Sequence, residues 1–310
     1  MEKSWDCIVV GAGAAGLSAA LVLGRARQRT LVVDAGRQSN LAAHGIGGLL
    51  GHDGRPPAEL YAAGRKELAT YPTVEVRSGE VVAGERRDGG FMLDIADGSR
   101  EVTRRVLLAS GMDYRVPELP GIPERWGRSV FHCPFCHGWE LRDQPLGVLD
   151  RGAMGVHRAL LLRVWSDDVT LVANGPAELE ADDVKRLRDA GVTVDERPVA
   201  ELCGPGSALT AVAFSDGSQR RLGGLLVPVT LYQRSPLAEQ LGAAASSPGP
   251  VVADAVEVDS MFQTGVSGLS AAGDLSCQMP SVANAIAAGS NAAAGIVRSV
   301  VSEAYGLTSG

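Results

Sequence analysis

Short apolar runs separated by glycine turns dominate the first third of the chain. Cys7-Ile8-Val9-Val10 is followed by Gly11-Ala12-Gly13-Ala14-Ala15-Gly16, a helix-forming stretch at 17–23, and a second apolar run, Leu31-Val32-Val33, ending on Asp34. Runs apolar at every position belong to strands buried on both faces, which occur in parallel sheets joined by helical crossovers. Strand, glycine turn, helix, strand and acid thus make one βαβ unit. Further strands are predicted at 74–76, 91–95 and 106–109, the last running into Ser110-Gly111. The pattern restarts after Gln144-Pro145 with a strand at 146–149, a helix at 156–164 and a strand at 169–172. From Val251 a third region carries Ala271-Ala272-Gly273-Asp274 and a small-residue helix at 282–297, with Ser246-Ser247-Pro248-Gly249-Pro250 as a hinge before it. No short-period repeat is present, only two copies of one architecture.

Composition narrows the class. At 310 residues the chain exceeds what one hydrophobic core usually fills, and a prior of about 150 residues per domain gives two domains. Hydrophobic residues at 45% and charged residues at 21% describe a globular protein, and no apolar run reaches membrane-spanning length. The N-terminus enters its first strand without a basic segment, apolar core and cleavage site, so a cytoplasmic location is expected. A net charge of −7 argues against nucleic acid as the partner. Five cysteines in such a chain point to catalytic or buried thiols, not a disulfide framework.

The first glycine turn has the context that a dinucleotide site needs: a strand before it, a helix after it, and Asp34 about 20 residues on. Gly11 permits the tight turn, Gly13 lets the backbone approach a pyrophosphate, and Gly16 lets helix and strand pack closely. The helix start offers N–H groups to phosphates, and Asp34 would accept from a ribose hydroxyl; the bland reading is a glycine turn that binds nothing. Gly273-Asp274 is read either as a contact to a flavin's ribityl chain or as a simple N-cap of the following helix. The second unit reads Asp150-Arg151-Gly152-Ala153-Met154-Gly155 where a nicotinamide site wants glycines. A carboxylate facing a pyrophosphate costs up to about 4 kcal/mol at ~4 Å and an effective dielectric of ~20, less if Arg151 neutralises it. After the second strand comes Ala173-Asn174-Gly175-Pro176, with no arginine pair for a 2′-phosphate.

Phe131-His132-Cys133-Pro134-Phe135-Cys136-His137-Gly138-Trp139-Glu140 gathers two of five cysteines and two of five histidines. A CxxC at a helix start favours one thiolate through backbone N–H groups and the helix dipole, Pro134 presets the turn, and His137 supplies a base. The same letters admit three other readings. CxxCH is the c-type haem attachment sequence, which needs export and an axial partner. His132, Cys133, Cys136 and His137 could be zinc ligands, although adjacent residues rarely converge on one metal and no second CxxC completes a site, so no metal is expected. Two buried inert thiols are the third, opposed by the polar flanks. Cys7, Cys203 and Cys277 are read as core or incidental residues.

The glycine turn, Leu107-Leu108-Ala109-Ser110-Gly111, a CxxC in an inserted second module and Gly273-Asp274 together resemble low-molecular-weight thioredoxin reductases over nearly the whole chain. Within that superfamily, CPFCHG followed by an aromatic and Glu resembles the dithiol oxidases that close the disulfides of gliotoxin, holomycin and romidepsin-type natural products. The resemblance implies an α/β fold of two Rossmann-like modules. The FAD-binding domain would be discontinuous, over 1–113 and 247–310, and 114–246 would be an inserted NADPH-domain-like module carrying the CxxC. It implies FAD contacts at Gly11, Gly13, Ala14, Ala15, Gly16, Asp34, Gly111, Gly273, Asp274 and Val282. It implies Cys136 as the thiol next to the flavin, Cys133 as the interchange thiol and His137 as the acid/base; His132, His44 and Glu140 are secondary candidates. The departures at Asp150, Arg151 and 173–175 put NADPH in doubt. The expected enzyme is a homodimer that oxidises a small-molecule dithiol with O2 as acceptor. Its rivals are a disulfide reductase driven by NADPH or ferredoxin, and a flavin-bound redox sensor. The stretch His44-Gly45-Ile46-Gly47-Gly48-Leu49-Leu50 is read as a packing loop or as the wall of a pocket near the flavin.

Overall fold

The structure is a computed structural model that describes residues 4–307. The chain forms two compact units, one comprising the segments up to Leu41, Pro57–Tyr114 and from Thr230 onward, the other Ala42–Pro56 and Arg115–Val229.

In the first unit five parallel strands lie in the order Leu269–Ala271, Val106–Leu108, Cys7–Val10, Thr30–Asp34, Val74–Ser78. The two apolar runs that opened the sequence are its central strands, buried at every position. The helix Ala14–Arg25 packs on the C-terminal helix Val282–Tyr305 through Ala15, Ala19, Ala20, Ala285, Ala288 and Ala292. Small side chains let the two backbones meet: a Cβ on Gly289 would stand 2.9 Å from Cα of Ala15. A three-stranded antiparallel meander, Val81–Arg87, Gly90–Ile95 and Arg100–Thr103, buries the alternating Phe91, Leu93 and Ile95.

The second unit repeats the plan. Its parallel order is Val192–Asp195, Val169–Val172, Leu146–Leu149, Gly224–Leu226, Val130–Phe131, with an antiparallel meander of Val199–Cys203, Ala211–Phe214 and Gln219–Arg221. The fifth strand of the sheet comes last in sequence in the first unit, Leu269–Ala271, and first in the second, Val130–Phe131. Gly273-Asp274 and the CxxC therefore follow strands at corresponding sheet positions, at their carboxyl ends, where α/β folds place ligands.

Two boundaries differ from the sequence expectation. The chain crosses back at Val229/Thr230, not at 246/247, because Thr230–Gln233 is sheet-paired with Met112–Arg115 and Leu231 exchanges backbone hydrogen bonds with Val251 and Ala253. The expected hinge is a turn inside the first unit: Ser246 N–H donates to Ala255 and Gly249 N–H to Val252. The segment Ala42–Pro56, expected in the first domain, clusters with the second unit.

Candidate active site

The strand Val130–Phe131 delivers His132 and Cys133 to its carboxyl end, and Pro134 starts a single helical turn, Pro134–His137, that returns Cys136 to Cys133. The two cysteines are disulfide-bonded with Cα atoms 5.3 Å apart. The helix is shorter than the sequence suggested, so a macrodipole contributes little to a thiolate here; the local N–H groups of the turn remain, with Cys136 N–H on the Cys133 carbonyl at 3.2 Å. The glycine-rich segment packs directly against the pair: a Cβ on Gly47 would come within 2.8 Å of the Cys136 carbonyl oxygen. Its Ile46 and Leu49 are buried in packing, while His44 and Gly45 line a cavity beside Cys136 and His137.

His137 stacks on Phe131, with ring centroids 5.6 Å apart, and its Nε2 lies 3.1 Å from the carbonyl oxygen of Gly127. A carbonyl only accepts, so Nε2 carries the proton and the neutral ring keeps its basic lone pair on Nδ1. That Nδ1 is buried without a hydrogen-bond partner. Burial holds the His137 pKa below its ordinary value, with the backbone carbonyls of Gly127 and Cys133 and the charge of Glu140 opposing. Glu140 is exposed and acts only through its charge; the Gly127 carbonyl, which nothing in the sequence singled out, orients the ring. His132 stacks on Trp126, and burial, with repulsion from His137, pushes it down to about 4. His44 contacts Arg128, whose Nε donates to the Ala42 carbonyl at 3.0 Å. A cavity of about 320 Å³ lies among His44, Arg128, Cys136, His137, Glu140 and Leu209.

Two histidines held neutral make acid destabilising. Between the native pKa of His132, about 4, and the ordinary 6.5, the unfolded chain binds a proton that the native chain refuses. The stability is fully present above pH 6.5 and lost as the pH falls towards 4, at up to about 1.4 kcal/mol per pH unit for this one group. His132→Phe is expected to flatten the urea-midpoint profile between pH 4.5 and 6.5; an unchanged slope refutes the assignment.

In the first unit the glycine turn is shaped for a phosphate-bearing cofactor. Gly11 takes φ +104°, and a Cβ there would lie 2.9 Å from the carbonyl carbon of Ala109. Gly13 precedes the helix Ala14–Arg25 with no side-chain cap, which leaves the first-turn N–H groups to an anion. Ala14 is half-buried and Ala15 buried. Asp34 ends its strand with Oδ1 accepting from Ala12 N–H at 3.3 Å and Gly36 N–H at 3.1 Å, while Gln38 Nε2 donates at 3.0 Å and Arg65 pairs with Oδ2 at 2.5 Å. Arg65 and Gln38 were not foreseen. Asp274 is half-buried in the turn Gly273–Ser276, and Tyr114 hydroxyl donates to its Oδ2 at 3.0 Å. Burial raises its pKa, with Tyr114 and Arg234 opposing. The N-cap reading of Asp274 is overturned, because Ser281 caps the helix Val282–Tyr305, its Oγ accepting from Asn284 N–H at 3.1 Å. Val282 is the first residue of that helix, and Gly111 turns the chain after Val106–Leu108. The uncapped helix start, the cleared glycine turn and the two carboxylates, Asp34 and Asp274, fit FAD.

The second unit's turn differs. Asp150 stands at the first glycine position without a left-handed backbone, which Gly152 takes instead, with φ +58°. Arg158, not Arg151, pairs with Asp150, so the carboxylate is neutralised from eight residues along the helix. The Arg151 guanidinium crosses to the Asn174 carbonyl at 3.0 Å and to Glu178 at 3.4 Å. Asn174 in turn accepts Val199 N–H at 2.7 Å, a structural duty. Among the described residues no group of three His, Cys, Asp or Glu side chains is placed to hold a metal ion, and no helix is long and apolar enough to cross a membrane.

The family model described as pyridine nucleotide-disulphide oxidoreductase matches residues 5–289. A protein named thioredoxin reductase tcpT, from Claviceps purpurea, is 32% identical over 92% of this chain and 90% of its own length. Among solved structures, an oxidoreductase from Agrobacterium tumefaciens is 38% identical with a TM-score of 0.90, over 96% of this chain and 99% of that one. HlmI is 36% identical with a TM-score of 0.91, over 99% and 95%. This family membership implies FAD binding. A matched glycine turn, a closed CxxC and relatives aligned from end to end agree: the chain belongs to the pyridine nucleotide-disulphide oxidoreductase family, as a thioredoxin-reductase-like enzyme.

Proposed function

We propose that the enzyme oxidises the two thiols of a small molecule to an intramolecular disulfide, using the Cys133–Cys136 pair and FAD, with O2 as final acceptor and hydrogen peroxide as product. The observation that carries this reading is a contrast within the second unit. Its thiol centre is complete, while its nucleotide turn holds a carboxylate locked to Arg158 and an arginine laid across to Asn174 and Glu178. Electrons then enter from thiols, not from a nicotinamide.

A substrate thiolate attacks Cys133 Sγ; the Cys133–Cys136 bond breaks and Cys136 leaves as thiolate. The second substrate thiol loses its proton to Nδ1 of His137 and attacks the substrate sulfur of the mixed disulfide, releasing Cys133. One substrate disulfide has formed and the enzyme pair holds two electrons; of the two substrate protons, one left when the attacking thiolate formed and the other sits on His137. Bound FAD supplies the two-electron passage from the reduced pair to O2. Gly11, Gly13, Ala14, Ala15 and Gly16 would hold its pyrophosphate, Asp34 a ribose, and Gly111, Gly273, Asp274 and Val282 its flavin half. The protein works as a homodimer in the cytoplasm in this reading.

Mixing the holoenzyme anaerobically with NADPH separates this from the reductase reading. The flavin is expected to stay oxidised with NADPH and to bleach with a dithiol. Prompt bleaching by NADPH would overturn the proposal.

A further inference from the structure

Phe135 and Trp139 are left in solvent, 71% and 65% exposed, one between the redox cysteines and the other three residues beyond the second. Gly138 continues the helical backbone at φ −64° and ψ −32°, so these i and i+4 positions share one side of the turn. Both rings are held. Phe135 meets Trp165 edge-on, with centroids 5.5 Å apart and planes at 83°, and Trp165 is pinned against Gly138, where a Cβ would come within 2.8 Å of the indole. The Arg142 guanidinium lies 3.9 Å over the Trp139 ring and donates to the Trp139 carbonyl at 2.6 Å. Exposed apolar rings are unfavourable in water, and fixing them costs side-chain entropy as well. Rings that are both exposed and fixed are preorganised for stacking.

We infer that Phe135 and Trp139 form an aromatic platform beside the disulfide that selects dithiols carried on a flat, apolar ring. The inference rests on the proposed exchange of Cys133–Cys136 with a small dithiol. Area decides against a protein partner. An aromatic side chain offers about 150–250 Å² in all, so two rings at this exposure give about 200–350 Å². A stable protein interface takes about 800 Å² from each partner. Beside Trp165 the surroundings add only Val164, 72% exposed, which leaves the patch well short of that area, and Glu140, Arg142, Asp143, Asp167 and Asp168 around it are exposed and charged. The platform has room for one or two fused rings. Stacking there holds both thiols of a rigid substrate at the motif and lowers the entropy lost in the second, ring-closing attack.

The test is reduction of the Cys133–Cys136 disulfide in anaerobic holoenzyme, followed by thiol titration, with toluene-3,4-dithiol and with dithiothreitol. The readout is the ratio of the two second-order rate constants, variant against wild type, in which the intrinsic acidity of each reagent cancels. Phe135→Ala and Trp139→Ala are each expected to lower that ratio about fivefold or more. Phe135→Leu and Trp139→Leu keep the apolar bulk, fold where alanine does not, and should lower it as well. An unchanged ratio overturns the platform, as do rates that fall alike for both dithiols, or losses seen only when a reduced thioredoxin-fold protein is the donor. Absence of exchange with either small dithiol would instead sink the proposed function, and exchange without oxygen consumption would sink its O2 arm alone.

Discussion

Replacing Cys133 with Ser is expected to reduce dithiol-dependent oxygen consumption on the order of 10⁴-fold while FAD stays bound. The reason lies in what a disulfide does. Only a sulfur–sulfur bond can accept the electron pair of an attacking thiolate and release a stable thiolate in its place; a serine hydroxyl opposite Cys136 offers no such bond. The residues proposed to hold FAD belong to the other unit, so the FAD content of the purified variant should be unaltered. The two single variants also decide the order of attack. Offered the disulfide form of the substrate, the Cys136→Ser chain, which keeps Cys133, should form a mixed disulfide detectable by mass, and the Cys133→Ser chain should form it far more slowly. Equal trapping, or faster trapping at Cys136, removes Cys133 from the interchange role. His137→Gln adds a proton test: the alkaline-going rise in exchange rate, set below 6.5 by burial of the ring, should vanish.

Much of this was legible because it is local or periodic. The runs at Cys7–Val10 and Thr30–Asp34 are apolar throughout, the glycine turn is one short string, and the CxxC is four residues. What was missed is set by partners remote in sequence. Asp34 finds Arg65, 31 residues on, and Asp150 finds Arg158 by a helical reach that hydropathy does not register. The crossing at Val229/Thr230 falls within Leu225-Leu226-Val227-Pro228-Val229-Thr230-Leu231, an almost unbroken apolar stretch, whereas the Ser-Pro-Gly run that marks a hinge in composition is a hydrogen-bonded turn. The loop Ala42–Pro56 has no periodicity to assign it to either unit. Ser281, directly before the small-residue helix, is a cap by residue type alone, its Oγ accepting the backbone N–H of Asn284, whereas Asp274 lies too far ahead of the helix to reach it.

Substitutions along the glycine turn should separate packing from cofactor binding. At Gly11 an added Cβ meets Ala109 carbonyl carbon at 2.9 Å and Ser110 Cα at 3.2 Å, on a backbone of φ +104° that side chains disfavour. At Gly16 it meets Gly11 carbonyl carbon at 2.9 Å and Val9 Cγ1 at 3.3 Å. Most of these neighbours are backbone and cannot swing away, so Gly11→Ala and Gly16→Ala should each cost about 3–5 kcal/mol, a large share of a typical 5–15 kcal/mol, and lose FAD with the fold. Gly13 is different. Its φ of −78° suits alanine, and an added Cβ meets only Gln38 Cγ, at 3.7 Å, an ordinary contact. Gly13→Ala should therefore melt within about a degree or two of the wild-type apoprotein, because nothing in the protein is displaced. Its FAD dissociation constant, read from recovery of flavin fluorescence, should still rise at least about tenfold, because the methyl stands where the backbone must admit a pyrophosphate. A Gly13→Ala chain that binds FAD like wild type would remove the glycine turn from the cofactor site and leave it a packing device; a chain that unfolds would contradict the open space around Gly13.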